Sequence, residues 1–333
     1  MAILTPPSLF QIVVEAVRES GWDVLYVAQD LRKGPFKLIL HKDNQTHRII
    51  FWIWNVTYGG YPRDPNEYRI QLKVTELHQE PGWKTLILGW WDEGRVFVGF
   101  DIRKRKEIPG YSSSVQIKVG TLTEAAIRGV SAYVKDNDEI AIAFRSDFFV
   151  EYVTNLEQLH DFGETQKDFE VLEQVTEHAE EVDHVDQDLI DQVAPARQEV
   201  LVIVSRKLRA NSFRRRVLTA YEHHCAFCDI QLKLVEAAHI LPVSDSSSTD
   251  ETSNGIALCV LHHRAYDQSL VRFNEDFLIQ PNLSQIESLR LLNLDGGANK
   301  FISDLRDTVR IPPSPLDRPR KEYISRANEL RGW

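Results

Sequence analysis

Cys225, Cys228 and Cys259 are the three cysteines of the chain, and all fall in one short stretch. An odd, clustered set argues against a disulfide framework and points to metal. Cys225 and Cys228 are separated by two residues, and Cys259 and His262 repeat that gap. Zinc favours a closed tetrahedron of four soft or borderline ligands, which Cys₃His supplies. Such a site also contributes folding free energy to a unit with little core of its own. The plain alternative is three incidental buried cysteines and a surface histidine. If the two pairs share one ion, the chain between them has to fold back on itself within a few tens of residues.

That intervening chain holds Glu236-Ala237-Ala238-His239-Ile240-Leu241-Pro242 and Asn254-Gly255; beyond Cys259 comes His262-His263-Arg264-Ala265-Tyr266-Asp267. The pattern predicts a strand over 234–241, a Ser/Asp/Thr-rich loop over 244–253, and a helix from about 255 to 267. His239, at the strand end, carries an imidazole able to take a proton from an attacking water; alone it would read as a satisfied structural histidine. His263 and Asp267 stand four apart on the expected helix and share a face, where both can reach one divalent ion. Such an ion stabilises charge on a phosphodiester undergoing cleavage. Asn254 either fixes the loop behind His239 or caps the helix, and the two roles are compatible. The two-residue gap assigns His262 to zinc; the reverse allocation, with His263 on zinc and His262 in the chemistry, stays open.

The order His239, Asn254, His263 across strand, loop and helix resembles the HNH endonuclease family, in particular its restriction-endonuclease-like branch. The resemblance covers about residues 212–280. It implies a ββα-metal fold and DNA cleavage with one metal ion. It makes His239 the general base, Asn254 the middle residue and His263 a metal ligand. Many members carry Asp directly before the first His, where this chain has Ala238; Asp267 is the expected substitute. The cofactors expected are structural Zn²⁺ and a catalytic Mg²⁺, Mn²⁺ or Ni²⁺. Arg214, Arg215, Arg216 and Arg264 are candidate phosphate contacts, with a solvated helix face as the alternative; the helix itself is expected over 213–224, capped by Ser212.

A net charge of −10 is unusual for a protein that binds DNA, but the charge is uneven. Residues 161–195 hold 12 acids and one base, Lys167, whereas 196–333 hold 19 bases against 17 acids. One segment carries the excess and need not face a phosphate. The expected class is α+β, in three parts. Residues 1–158 form a mixed α/β DNA-recognition domain, 159–195 an acidic linker, and 196–333 the zinc-stapled nuclease domain with its tail. In the first part a helix around Phe10–Val17 precedes strands over 37–41, 47–56, 68–74, 83–91, 96–101, 113–119 and 139–144, with a helix over 121–134.

The Gly/Pro-rich loop 58–66 runs into strict alternation. Glu67, Arg69 and Gln71 share one strand face and, with Arg63, are candidate DNA contacts; a solvent-facing sheet surface is the alternative. Asp101 with Gln116-Ile117-Lys118 loosely resembles a second nuclease core. Trp52, Trp54, Trp90 and Trp91 line either a pocket for a flipped base or the core. The apolar run 49–54 is too short to span a membrane, and the first residues lack a signal-peptide pattern. The expectation is a cytoplasmic, homodimeric restriction enzyme acting on double-stranded DNA, with no membrane partner and a cognate methyltransferase. Its rivals are a non-catalytic zinc DNA-binding module and a toxin-like HNH nuclease.

Overall fold

Thr5 accepts a hydrogen bond from the Ser8 amide and Pro6 fills the first turn, which starts α1 (Pro6–Glu19). Its Phe10, Val13, Val14 and Val17 are buried. The computed structural model describes residues 3–62, 64–74, 76–105, 113–135, 139–177, 190–191 and 193–333. Its contacts divide the chain into two units, Met1–Leu208 and Arg209–Trp333.

After α1 come β1 (Asp23–Tyr26), β2 (Phe36–Lys42), β3 (Gln45–Asn55), β4 (Thr57–Tyr58), β5 (Glu67–Leu72), β6 (Lys84–Trp91), β7 (Val96–Phe100) and β8 (Ser113–Lys118). Then follow α2 (Val119–Arg128), β9 (Val130–Val134), β10 (Ile140–Arg145), α3 (Phe149–Thr154), α4 (Leu156–Asp161) and α5 (Gln166–Glu177). A seven-stranded sheet runs β1-β2-β3-β6-β7-β10-β9, and β4-β5-β8 form a second sheet. The large sheet is antiparallel except at β3–β6.

The central strands are buried on both faces, which explains the unbroken apolar run of β3. On one face Ile49, Phe51, Leu88, Trp90 and Phe144 pack in a core shared with α1 and α3. On the other, Ile50, Trp52, Ile87, Trp91 and Val98 pack with Ile70 and Leu72 of β5, Val115 and Ile117 of β8, and Leu122 of α2. Trp52, Trp90 and Trp91 are therefore core residues rather than a pocket lining, and Trp54 packs against the second cluster half-buried. In the acidic stretch, Val171, Leu172 and Val175 of α5 join the first core.

Three expectations need correction. The helix over 121–134 stops at Arg128, because Gly129 takes φ +110° and turns the chain into β9. Ser212 caps no helix: α6 (Pro195–Ala220) runs straight through it, and its hydroxyl accepts from Arg216 at 2.5 Å. The third concerns residues 255–267. Gly255–Cys259 is a strand, β12, paired antiparallel with β11 (Val235–His239), and α7 begins only at Val260 (Val260–Asp267). The second unit continues with β13 (Val271–Phe273), β14 (Ile279–Pro281), α8 (Leu283–Leu291), α9 (Ala298–Ser303) and α10 (Lys321–Leu330). Phe213, Val217, Phe227, Ile256, Leu258, Tyr266 and Phe273 are in its core. No described helix is long and apolar enough to cross a membrane.

Candidate active site

The β11–β12 hairpin and α7 position the sequence-predicted residues of the second unit except Cys225 and Cys228, in the turns before β11, and the Arg214–Arg216 run of α6. In the pairing, His239 lies opposite Gly255 and Val235 opposite Cys259. The hairpin thus carries a sulfur ligand at one end and the imidazole of His239 at the other.

At the first end, the ligand atoms of Cys225, Cys228, Cys259 and His262 lie within 4.8 Å of one another. His262 Nδ1 is 3.3 Å from Cys259 Sγ and 3.6 Å from Cys225 Sγ, and the Cys228 and Cys259 sulfurs are 3.8 Å apart. It is His262, not His263, that joins the cysteines. Burial alone would lower the His262 pKa, but the Cys225 and Cys259 sulfurs outweigh it and hold it up at about 9. The Cys225 and Cys259 sulfurs drive the Cys228 thiol up, while Cys225 and Cys228 drive Cys259 down. Three sulfurs and one imidazole nitrogen within reach of a single point are a Cys₃His donor set that fits zinc. Asp229, directly after Cys228, is held by Arg306 and Arg310. The amides of those arginines bond the Phe227 and Ala226 carbonyls at 2.9 and 3.0 Å. The C-terminal segment thereby braces the knuckle.

At the other end, His239 Nε2 donates to Asp250 Oδ1 at 2.8 Å. Its ring stacks on Phe213 of α6, with centroids 3.9 Å apart and planes 8° from parallel. The bond to Asp250 puts the proton on Nε2 and leaves the lone pair on Nδ1. The hydrogen bond from His239, together with the nearby Arg209 and Arg216, keeps Asp250 ionised below the usual carboxylate range in spite of partial burial. Arg216 Nη2 also donates to the Asp250 carbonyl at 2.7 Å. This uses Arg216 in holding the loop, whereas Arg214 and Arg215 are exposed on α6.

Asn254 is fully buried. Its Oδ1 accepts from the Leu241 amide at 2.9 Å, and its Nδ2 donates to Thr249 O at 2.9 Å and Ser248 Oγ at 3.0 Å. It ties the two ends of the 241–254 loop together. Because a strand follows it, Asn254 is not a helix cap. Tyr266 and Arg331 both donate to Ile240 O, at 3.2 and 3.1 Å, and so fix the exit from His239.

On α7, His263 Nδ1 donates to Glu236 Oε2 at 2.7 Å, and its Nε2 is 3.7 Å from Asp267 Oδ2. Glu236 fixes the tautomer, so that Nε2 beside Asp267 is the nitrogen available to a cation. That donor set of one imidazole and one carboxylate suits a hard divalent ion that keeps several waters. Arg264 is exposed on the same helix.

Sequence reasoning missed Asp250 and Glu236 as partners. Glu236 stood inside the motif without a role. Asp250 lay in a polar loop of several hydroxyl and carboxylate residues, with no periodicity to single it out.

In the first unit, Glu67, Arg69 and Gln71 of β5 pair with Lys118, Gln116 and Ser114 of β8. Arg63 lies outside the described residues. Asp101 is bound by Arg103 at 2.9 Å and Lys118 by Asp64 at 2.8 Å, so the looser nuclease resemblance finds these charges already paired elsewhere.

Two family models match the chain: methylase-associated X1 over residues 47–153, and HNH endonuclease over residues 225–274. Comparison with curated proteins finds no match. Among solved structures, a modification-dependent TagI restriction endonuclease aligns with 86% of this chain and 82% of its own. The identity is 12% and the TM-score 0.31. Hairpin, cysteine–histidine cluster and family match coincide on one segment: residues 225–274 form an HNH endonuclease domain, and the protein that carries it is a DNA endonuclease.

Proposed function

We propose that the protein is a restriction-type endonuclease, with residues 1–158 recognising a target sequence or modified base in double-stranded DNA and residues 196–333 cutting it. The observation that carries the chemistry is the commitment of His239 Nε2 to Asp250, which leaves Nδ1 as the basic nitrogen. His239 Nδ1 takes the proton of the attacking water, and Asp250 stabilises the imidazolium that forms. Phe213 holds the ring plane. Asn254 acts as a positioning residue by closing the loop that presents Asp250.

His263 and Asp267 would hold one divalent ion, Mg²⁺, Mn²⁺ or Ni²⁺, which supplies charge stabilisation at the scissile phosphate. Cys225, Cys228, Cys259 and His262 would hold structural Zn²⁺. Arg214, Arg215 and Arg264 are exposed and suit phosphate contacts; Glu67, Arg69 and Gln71 suit contacts from the recognition domain. The methylase-associated match at 47–153 supports a genomic partner that modifies the same DNA. One HNH site cuts one strand, so a palindromic target calls for a homodimer.

The test is plasmid nicking with each metal by full-length wild type and His239→Ala. Cleavage by wild type, abolished in a variant that still folds and binds DNA, is the expected outcome. A fully active His239→Ala removes the general base; an inert wild type returns the chain to a zinc module that only binds DNA.

A further inference from the structure

The loop 241–254, which presents Asp250 to His239, is tied from within by Asn254. A second element meets its outer side: α10, which lies beyond the 225–274 segment matched by the HNH endonuclease family. Ile324 and Ala327 bury one face of this helix in the core of the second unit, and Tyr323 packs against the same core half-buried. The apolar face fixes the helix and leaves its polar side chains to meet the loop.

Asp250 stands between two residues that one hydroxyl grips. Tyr323 Oη lies 2.9 Å from Thr249 Oγ1 and donates to Glu251 Oε2 at 3.4 Å. With its own proton given to Glu251, the tyrosine accepts from Thr249. The Glu251 amide in turn donates to Thr249 Oγ1 at 3.3 Å. These three bonds form a closed ring that restrains the backbone on both sides of Asp250. Arg320 and Ser253 hold the same Glu251 oxygen, at 2.9 and 3.2 Å. Nearer the start of the loop, Arg326 reaches Asp245 at 3.2 Å.

The restraint matters because the Asp250 side chain is partly exposed. Little packing holds it against His239, so its position follows from that of its backbone. Arg216 fixes the Asp250 carbonyl from the side of α6. The ring through Tyr323 fixes its two neighbours from the side of α10.

We propose that Tyr323 is a positioning residue for DNA cleavage: its hydroxyl holds Thr249 and Glu251 so that Asp250 meets Nε2 of His239. The inference rests on the reading of His239 as general base with Asp250 as its partner. It extends the cutting site to a helix outside the family match.

The test is plasmid nicking by the full-length protein with Tyr323→Phe, which keeps the ring and removes the hydroxyl. Losing these neutral hydrogen bonds lowers kcat by about three- to tenfold, with KM for DNA and the thermal melt as in wild type. Thr249→Val loses a similar factor, and the double variant loses no more than either alone. In an Asp250→Ala background Tyr323→Phe costs nothing further. A hydroxyl that only stabilises the fold would lower the melt and slow Asp250→Ala again by the same factor. A wild-type rate for Tyr323→Phe, a loss that follows a lowered melt, or a loss that persists without Asp250 overturns the proposal and leaves the nuclease reading standing. An inert wild type, or Asp250→Ala as fast as wild type, removes that reading and the proposal with it.

Discussion

Asp250→Ala removes the acceptor facing Nε2 of His239 while leaving the stack on Phe213 in place. A hydrogen bond to an ionised group contributes about 1.5–3 kcal/mol. The Asp250 side chain is 39% exposed, which puts its bond to His239 at the lower end. At about 1.4 kcal/mol per decade of rate, the lost imidazolium stabilisation costs about tenfold. Without Asp250 the ring proton is also free to sit on Nδ1, which costs a further factor of about two. The expected loss is therefore about 10- to 50-fold in kcat, with KM for DNA unchanged, as for a residue that acts through His239. Single-turnover nicking of supercoiled plasmid measures it. Asp250→Asn loses less, since the amide oxygen still accepts. In a His239→Ala background Asp250→Ala changes nothing further. A wild-type rate for Asp250→Ala, or an additional loss in the double variant, would refute the assignment of Asp250 as the orienting partner.

Other outcomes follow from the same geometry. Protein purified without added zinc carries about one zinc per chain by elemental analysis, and Cys225→Ser abolishes both the metal and the cooperative melt of the second unit. Asn254→Ala strands several buried loop groups and costs about 2–4 kcal/mol by urea denaturation. Burial lowers Lys135 to about 8 even though Glu139 opposes the shift. Its charged form is therefore disfavoured in the fold, the cost is complete below about 8, and it fades as pH rises toward the unfolded value of 10.5. The difference in melting temperature between Lys135→Met and wild type accordingly shrinks over that interval; a constant difference contradicts the shift.

The long apolar strands were legible because β3 and β6 are buried on both faces and read as near-continuous runs of large residues. The cysteine knuckles were legible because zinc fixes spacing. Short strands such as β1, with its exposed Leu25 and Tyr26, have no buried face to impose alternation. The turn at Gly129 was hidden inside a segment whose apolar residues fit helix and strand alike. Ser212 resembled a cap, yet packing of Phe213 and Val217 in the core overrides that local preference and carries the helix through it. Gly255-Ile256-Ala257-Leu258 has no polar face, and only its pairing with β11 makes it a strand. Glu236 and Asp250 escaped notice because each meets its histidine through tertiary structure, 27 and 11 residues away.

His262 and His263 are joined by a single peptide bond, yet one turns to the sulfurs and the other to Glu236 and Asp267. The cysteine cluster and the proposed divalent-ion ligands therefore share one short helix, and a change in the backbone at His262 is carried directly to His263.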